Sequence, residues 1–442
     1  MEIELKPAKL CGTIEAVSSK SDVHRALIAA AFAGNACKIK SNICSKDMEA
    51  TMRCLNALGA KLRYDKTETC FLTEPVPKNN MRQFSAFAQP EKSSDAPAVL
   101  DCGESGSTLR FLLPVAAAMG KDVMFTGSGR LPERPVDVLL RAMEPHGVKA
   151  TQDHLPLCLT GSLTPGVFTL PGNVSSQYIT GLLLAFPLLS GASSVKLTNR
   201  LESHAYVSMT LDTMRRFGVT IQETENGYSY APEKSKFADA PYHAPKQYTA
   251  DGDWSNAAFF LAAAFLNEVL LGAEKNSISV QGLRKNSVQG DRKISELLDA
   301  MRAYLLNGAC GTFSVDASEI PDLVPILSVA MALSPRGTFA VTHAKRLRLK
   351  ECDRLSAIAA GLLALNIPVT EQPDGLLIKG SGRPRGSVTL NGCNDHRMVM
   401  AFAIAAAFCK TPVAVTDAQA VEKSYPAFFD DYRKLGGIFD GI

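Results

Sequence analysis

Six times along the chain a short polar cluster gives way to a run of Ala, Leu, Val, Ile and Phe spanning several helical turns. The junctions are Lys20-Ser21-Asp22-Val23-His24-Arg25, Glu104-Ser105-Gly106-Ser107-Thr108-Leu109-Arg110, Ser175-Ser176-Gln177, Asp251-Gly252-Asp253-Trp254-Ser255, Pro321-Asp322 and Asn394-Asp395-His396-Arg397. Ser, Asp and Asn at such junctions cap helices, and Gly ends them. The pattern predicts helices from Ser21 to Gly34, from Ser105 to near Gly120 and from Ser175 to Gly191. Asp253 is expected to cap Ala257 to Leu271, Asp322 to cap Leu323 to Leu333, and Asn394 to cap Arg397 to Cys409. Apolar residues lie almost all round these segments, which predicts burial inside a domain.

About 30 residues after each junction comes an amphipathic segment of recurring form, the sign of an internal repeat. Clear copies begin at Asp47, Val136, Tyr206 and Asp353, and weaker ones at Arg292 and Phe428. Short β-branched segments alternate with the helices, among them Ile3 to Leu5, Val195 to Thr198, Val219 to Ile221 and Ser387 to Leu390. Six strand–helix units fit the chain, three per domain, giving an α/β fold. Glu74 to Pro97, rich in Pro, Lys, Asn and Ser, is read as a surface insertion. Ala231 to Pro245 is read as a domain crossover, with another near Ser19-Lys20. The domains are therefore expected at 1–19 with 251–442, and at 20–250.

At 442 residues the chain exceeds the usual size of one core. Its net charge is +3, from 47 basic and 44 acidic groups, which argues against a surface that coats nucleic acid; any anion site must be a local concentration of cations. The eleven cysteines contain no CxxC pair, and the CxxH spacing of Cys393 and His396 lacks a second pair to complete a zinc site. Reduced thiols and no metal are expected. Apolar runs such as Met398 to Cys409 are too short to span a bilayer. The N-terminus lacks an apolar targeting core. A soluble, cytoplasmic protein is the expectation.

The polar clusters carry the chemistry. A helix N-terminus offers unpaired N–H groups and the positive end of the dipole, so it receives anions. Lys20, Ser21 and Arg25 add two cations and a hydroxyl, with Ser21 and Arg25 on one helical face. Gly106 lies in a turn whose backbone can approach a ligand closely. That turn lacks the GKS/T of a P-loop and the GxGxxG of a dinucleotide fold. Arg130-Leu131-Pro132-Glu133-Arg134-Pro135 holds two arginines in a Pro-stiffened loop suited to clamping an oxyanion. Ser175, Ser176 and Gln177 offer two hydroxyls and an amide; Ser203 and Tyr206 offer a hydroxyl and a ring. Lys350, Glu351 and Arg354 set two cations and an acid before a helix, and Asp322 is another helix-start carboxylate. Plain caps and solvated charges are the alternative for each motif taken alone.

In this order, SKSDVHRAL, LPERP, SSQ, KECDRL, NDHRM and EKSYP resemble the 5-enolpyruvylshikimate-3-phosphate synthase family over nearly the whole chain. The resemblance implies the enolpyruvyl transferase fold: two domains, each of three βαβαββ units forming an inside-out α/β barrel-like body, with the site in the interdomain cleft. It implies transfer of the enolpyruvyl group of phosphoenolpyruvate to the 5-hydroxyl of shikimate 3-phosphate, with release of phosphate and no cofactor. By resemblance, Lys20, Ser21, Arg25, Ser175, Ser176, Gln177, Ser203, Tyr206, Asp322 and Lys350 hold shikimate 3-phosphate. Lys20, Gly106, Arg134, Gln177, Arg354, Arg397 and Lys423 hold phosphoenolpyruvate. Asp322, Glu351 and Lys20 are the candidate catalytic groups, Asp322 on the hydroxyl side. A monomer binding neither nucleic acid nor membrane is expected.

Three positions depart from the family pattern: Glu104 stands where Asn is usual, Phe111 where many members have Pro, and Arg346 where Asn is frequent. Two rivals are a UDP-N-acetylglucosamine enolpyruvyl transferase and a non-catalytic anion-binding scaffold of the same fold. The first looks for a reactive Cys in the loop Thr126 to Pro135, which contains none. Because Gly106 leaves room beside the phosphoenolpyruvate site, the phosphonate glyphosate is expected to inhibit. Turnover undiminished by glyphosate in large excess over phosphoenolpyruvate would contradict this.

Overall fold

The computed structural model describes residues 1–77, 97–232, 240–275 and 277–441. These divide into two units, Ser18–Ala250 and Met1–Val17 with Asp251–Ile442. The interior of the Glu74 to Pro97 insertion and residues 233–239 of the Ala231 to Pro245 segment lie outside the described residues.

In Ser18–Ala250 the helices are α1 (Lys20–Ala31), α2 (Lys46–Ala57), α3 (Gly106–Ala118), α4 (Asp137–Met143), α5 (Ser176–Ala185) and α6 (His204–Arg216). They alternate with strands of three four-stranded sheets. In the middle repeat, Ala98–Asp101 lies parallel to Val123–Thr126, and the hairpin Val148–Ala150/Leu157–Gly161 returns antiparallel beside the latter. The third repeat does the same with Val167–Leu170, Ser193–Leu197, Gln222–Thr224 and Gly227–Tyr230. The first repeat takes its opening strand from the far end of the unit: Gln247–Thr249 pairs parallel with Cys37–Lys40, which Cys70–Glu74 flanks on its other side.

The discontinuous unit holds α7 (Trp254–Leu271), α8 (Ile294–Leu306), α9 (Val324–Leu333), α10 (Arg354–Ala364), α11 (His396–Phe408) and α12 (Phe428–Lys434). Its middle repeat follows the same plan with Thr312–Asp316, Thr338–Thr342, Val369–Gln372 and Gly375–Lys379. Its last repeat is closed by the N-terminal strand Ile3–Lys6, antiparallel to both Val413–Val415 and Ile438–Asp440. The fourth repeat of the chain departs from βαβαββ. Gly12–Glu15 pairs with Ile278–Gln281 in a sheet of two strands among the described residues. Only Asn307–Gly311 separates α8 from Thr312–Asp316, and five residues cannot hold a hairpin.

Burial follows the apolar runs. Every residue of α9 and α11 is buried, and α7, α9 and α11 pack on one another, as α3 packs on α5. The sheets bury alternate residues, as in Val167–Leu170, so each covers its helices with one face. Caps read from the sequence are present at Ser105, which accepts from Thr108 N at 3.2 Å, and Asp253, which accepts from Asn256 N at 2.8 Å. Others moved. α1 begins at Lys20 after Ser19, so Ser21 lies inside the first turn. Asp395, not Asn394, caps α11 by accepting from Arg397 N at 2.8 Å, because Asn394 has turned to φ 47°. Asp322 sits inside the short 3-10 turn Pro321–Leu323, and Leu323, not Asp322, occupies the N-cap position of α9. The strand expected at Val219 begins at Gln222.

The apolar runs are also longer than expected in one place. α7, with 18 residues, is long and apolar enough to cross a membrane. Twelve of them are buried, and the amide nitrogen of Asn267 on this helix donates to Leu10 O at 2.6 Å and Ser277 Oγ at 2.9 Å, so here it is a core helix whose buried amide N–H groups are paired.

A close approach between two buried helices has a chemical cause. Pro114 in α3 has no N–H, which removes the helical partner of the Arg110 carbonyl four residues earlier. Gly181 of α5 rests on that carbonyl: a Cβ there would overlap Arg110 O and lie 3.2 Å from Pro114 Cγ. Gly181→Ala should therefore lower stability by about 1–3 kcal/mol, the usual cost of overpacking. Urea unfolding checks this; an unchanged midpoint would show that α3 and α5 can separate freely.

Candidate active site

In Ser18–Ala250 the candidate residues gather at the N-terminal turns of α1, α3, α5 and α6. Lys20 Nζ lies 2.7 Å from Asp47 Oδ2 of α2, and both side chains are largely buried. Arg25, one turn on, is 2% exposed. Its Nε donates to Thr210 Oγ1 at 2.8 Å and its Nη2 to the Tyr206 carbonyl at 2.9 Å, both on α6. Nη1 donates to the Ser21 carbonyl. The guanidinium also lies 5.1 Å from the centre of the Phe111 ring, a cation–π contact. Burial lowers its pKa to about 10, against the charges of Asp22, Tyr206 and Tyr248, so it stays cationic at neutral pH. Arg25 thus ties α1 to α6.

Gly106 opens α3 against Arg134. A Cβ on Gly106 would come within 2.8 Å of the Arg134 guanidinium, so only glycine lets the two stack. Gln177 joins α3 and α5, its Nε2 donating to Ser107 Oγ at 2.9 Å while its Oε1 accepts from Arg110 Nη1 at 2.8 Å. Arg110 Nη2 reaches the Pro135 carbonyl at 3.2 Å, and Tyr178 OH reaches the same oxygen at 2.6 Å. The Pro-stiffened loop is therefore anchored at Pro135, next to Arg134. Ser175 caps α5, accepting from Gln177 N at 3.3 Å, and Ser176 is buried beside it. Ser203, buried with φ 58°, precedes α6 and starts the turn that carries Tyr206. Glu104 lies over Gly129, where a Cβ would strike its carboxylate; it is directed at the loop and not into the α3 turn.

Beneath these turns runs a buried hydroxyl chain. His24 Nδ1 is 2.7 Å from Thr51 Oγ1, which is 2.6 Å from Thr108 Oγ1, which is 2.8 Å from Ser105 Oγ. Burial first, then Lys20 and Arg25, holds the imidazole well below its usual pKa. It is neutral and links α1 to the cap of α3.

In the other unit the candidates form one ionic cluster. Asp322 Oδ1 accepts from Arg354 Nη1 at 3.1 Å and Oδ2 from Arg397 Nη2 at 3.0 Å, with Lys350 Nζ 3.8 Å away. Glu351 Oε2 accepts from Arg354 Nη2 at 3.0 Å. Asp395 takes the remaining side of Arg354, with Nε to Oδ2 at 2.8 Å and Nη2 to Oδ1 at 3.2 Å. Arg354 is 1% exposed, Asp395 is not exposed at all, and Asp322 and Glu351 keep 17%. Burial works against the charge of Arg354, but Asp395, Glu351 and Asp322 raise its pKa well above normal. Lys423 joins from the last repeat, donating to the Asn394 carbonyl at 2.5 Å just before α11. Arg346 donates to Ser318 O at 2.6 Å, which directs at least that guanidinium edge to the backbone.

Asp47, Arg110, Asp291 and Asp395 were not among the expected site residues. Asp395 and Arg110 stood in the polar clusters and Asp47 opened a repeat copy, but only the fold shows that each partners an expected cation or amide. Asp291 had no local signal. It lies on the turn Gly290–Lys293 and accepts from Ser255 Oγ at the start of α7, bringing the fourth repeat to the Asp322 cluster. Among the described residues, no group of three or more His, Cys, Asp or Glu side chains is placed to hold a metal ion.

The chain is similar to known proteins over nearly its whole length. The family model EPSP synthase (3-phosphoshikimate 1-carboxyvinyltransferase) matches residues 5–432. A 3-phosphoshikimate 1-carboxyvinyltransferase of Clostridium novyi is 38% identical over 99% of this chain and 98% of its own. One from Clostridioides difficile is 36% identical over 99% and 98%. Among solved structures, an EPSP synthase from Acinetobacter baumannii matches at a TM-score of 0.74 with 21% identity, covering 100% of both chains. The enolpyruvyl transferase NikO from Streptomyces tendae matches at 0.70 with 17% identity, covering 99% and 98%. These two share the fold.

Asp291 gives the cluster a pH dependence. Burial first, and then the charge of Asp322, raises its pKa to about 7, against about 4 for an unfolded Asp. Between those values the folded chain holds a proton that the unfolded chain has lost, so stability falls as pH rises from about 4 to 7. Asp291→Asn, which keeps the oxygen that accepts from Ser255, removes this loss. Its stability relative to the parent should improve by about 1 kcal/mol or more between pH 5 and pH 8. Urea unfolding at the two pH values tests this, and a pH-independent difference would rule it out.

Proposed function

The chain belongs to the EPSP synthase family, and on that premise we propose that it transfers the enolpyruvyl group of phosphoenolpyruvate to the 5-hydroxyl of shikimate 3-phosphate, releasing phosphate. The observation that carries this reading is the Asp322 cluster: two acids, Asp322 and Glu351, lie among Arg354, Arg397 and Lys350. Both substrates bear a phosphate and a carboxylate, so binding needs several fixed cations, and the chemistry needs acids beside them.

Arg354, Arg397, Lys423 and Arg134 would hold phosphoenolpyruvate, with Lys20, Gln177 and the Gly106 turn. A substrate carboxylate on Arg354 and Arg397 competes with Asp322 for the same N–H groups, which loosens Asp322 as it is needed. Ser175, Ser176, Gln177, Ser203, Lys350, Lys20, Ser21 and Arg25 would hold shikimate 3-phosphate against Tyr206. In addition, Asp322 takes the proton of the 5-hydroxyl as its oxygen bonds to C2 of phosphoenolpyruvate, and Glu351 or Lys20 gives a proton to the methylene carbon. The tetrahedral intermediate then returns a proton from the new methyl group to Glu351 or Lys20 and expels phosphate, which takes the proton held by Asp322, restoring the double bond and both catalytic groups. The arginines hold the phosphate and carboxylate charges throughout, so positioning and electrostatics carry much of the acceleration. The burial of α7 within its unit supports a soluble cytoplasmic enzyme; a monomer without cofactor accords with the family.

A phosphate-release assay tests this. Release is expected with phosphoenolpyruvate and shikimate 3-phosphate, and Asp322→Asn should lower kcat by about 10²–10⁴ with an unchanged circular dichroism spectrum. Release only with UDP-N-acetylglucosamine would establish the rival transferase, and none with either acceptor would leave an anion-binding scaffold.

A further inference from the structure

Two cysteines that the reaction does not use meet beside the Arg354 cluster. Cys352 lies between Glu351 and Asp353, the cap of α10; Cys393 stands two residues before Asp395, the cap of α11. Each thiol is the largest influence on the other, and Cys352 Sγ lies 3.6 Å from Asp395 Oδ2, two residues beyond Cys393. Cys352 is buried and Cys393 is partly exposed. The turn that presents Cys393 is unusual: Cys393 and Asn394 both have positive φ, 53° and 47°, a conformation costing about 1–3 kcal/mol per residue and concentrated at functional sites. It is held by Cys393 N donating to Asn391 Oδ1 at 2.8 Å and Asn394 N to Asp417 Oδ2 at 3.1 Å.

The contact makes the two thiols unlike. The neighbouring Cys352 lowers the pKa of Cys393, and Cys393 raises that of Cys352. A partly exposed thiol favoured as thiolate attacks first, and a buried neighbour resolves. Cys54 and Cys102 also pair, but both are buried, out of an oxidant's reach.

We propose that Cys352 and Cys393 form a reversible disulfide that blocks turnover, with a small disulfide such as oxidised glutathione as oxidant. Cys393 Sγ⁻ attacks one sulfur of the oxidant, expelling one glutathione thiolate and leaving a mixed disulfide. Cys352 then loses its proton and its sulfur attacks Cys393 Sγ, expelling the second glutathione. Two cysteines are oxidised by two electrons, one glutathione disulfide is reduced to two thiols, and the two cysteine protons end on those thiols. The S–S bond is about 2.05 Å long, shorter than any non-bonded sulfur contact, so closure shifts the cysteines from their places beside Asp395. Glu351 and Asp395, which flank the pair, hold Arg354. A shift of about 1 Å in such a group costs on the order of 100-fold in rate.

The block rests on the proposed function; the disulfide does not. The full-length chain is treated with oxidised glutathione, digested with trypsin without reduction, and assayed for phosphate release. The expected map joins Glu351–Arg354 to Gly386–Arg397, activity falls at least tenfold, and dithiothreitol restores both. Cys393→Ser should show no linked peptide and keep its activity under the same treatment. Glutathione on the exposed Cys11 and Cys310 with both peptides still reduced would overturn the pair, and this needs no variant to fold. A linked peptide with undiminished phosphate release would overturn the block. If untreated protein releases no phosphate with either acceptor, the functional reading fails and the peptide map alone decides the disulfide.

Discussion

The guanidinium of Arg354, 1% exposed, is held by carboxylates from three chain segments: Asp322, Glu351 and Asp395. A buried cation of this kind is stable only while its partners stay in place, and removing one of them typically costs 3–5 kcal/mol. Asp395 serves two masters, since its Oδ1 also receives the N–H that starts α11. The turn holding Asp322, the start of α10 and the start of α11 are thus fixed by one planar group. Arg397 and Lys350 face Asp322 because of it. Three basic and three acidic side chains make the cluster nearly neutral, which is what lets so many charges share a poorly solvated place.

That cluster stands on a repeat whose order in space differs from its order in the chain. The N-terminal strand Ile3–Lys6 finishes the last repeat, Gly12–Glu15 starts the fourth, and Gln247–Thr249 starts the first. Each borrowed strand supplies a partner for an edge that would otherwise expose unpaired N–H and C=O groups. The chain is thereby drawn out of one unit and back into it through Val17–Ser18 and Ala250–Asp251. The fourth repeat, opened by such a strand but lacking a hairpin among the described residues, still supplies the buried acid Asp291 next to Asp322. Its part is electrostatic as well as structural.

What the sequence made legible was local. Ser105, Ser175 and Asp253 cap as their neighbours demand, because a cap depends on three or four consecutive residues. The helices with apolar residues all round are buried, since no other environment suits such a surface. Asn394 and Asp395 were harder to tell apart: both can cap, and the choice was made by Arg354, 41 residues away. Asp322 looked like a cap and is instead an acceptor for two arginines, Arg354 of its own repeat and Arg397 of the next. Asp47 opens a repeat copy, Arg110 stands in a polar cluster and Asp291 carries no motif, but the roles of all three come from side chains 27, 67 and 36 residues distant, which no window along the chain can contain. The repeat count was readable, but the missing hairpin of the fourth copy depended on a five-residue connection hidden by the expected period.

The two units fix their arginines by different means, and the difference bears on what each can do. In Ser18–Ala250, Arg25 is oriented by Thr210 and two backbone carbonyls, and Arg110 by Gln177 and the Pro135 carbonyl. Neutral acceptors set the direction of a guanidinium without cancelling its charge, so its attraction for an anion survives. In the other unit Arg354 and Arg397 are oriented by carboxylates, which cancel charge while holding position. An anion arriving there gains by displacing a carboxylate from an arginine, and the displaced group becomes a base. A set built on neutral acceptors suits binding, whereas one built on acids couples binding to proton transfer. The acids proposed for the reaction, Asp322 and Glu351, lie in the second set.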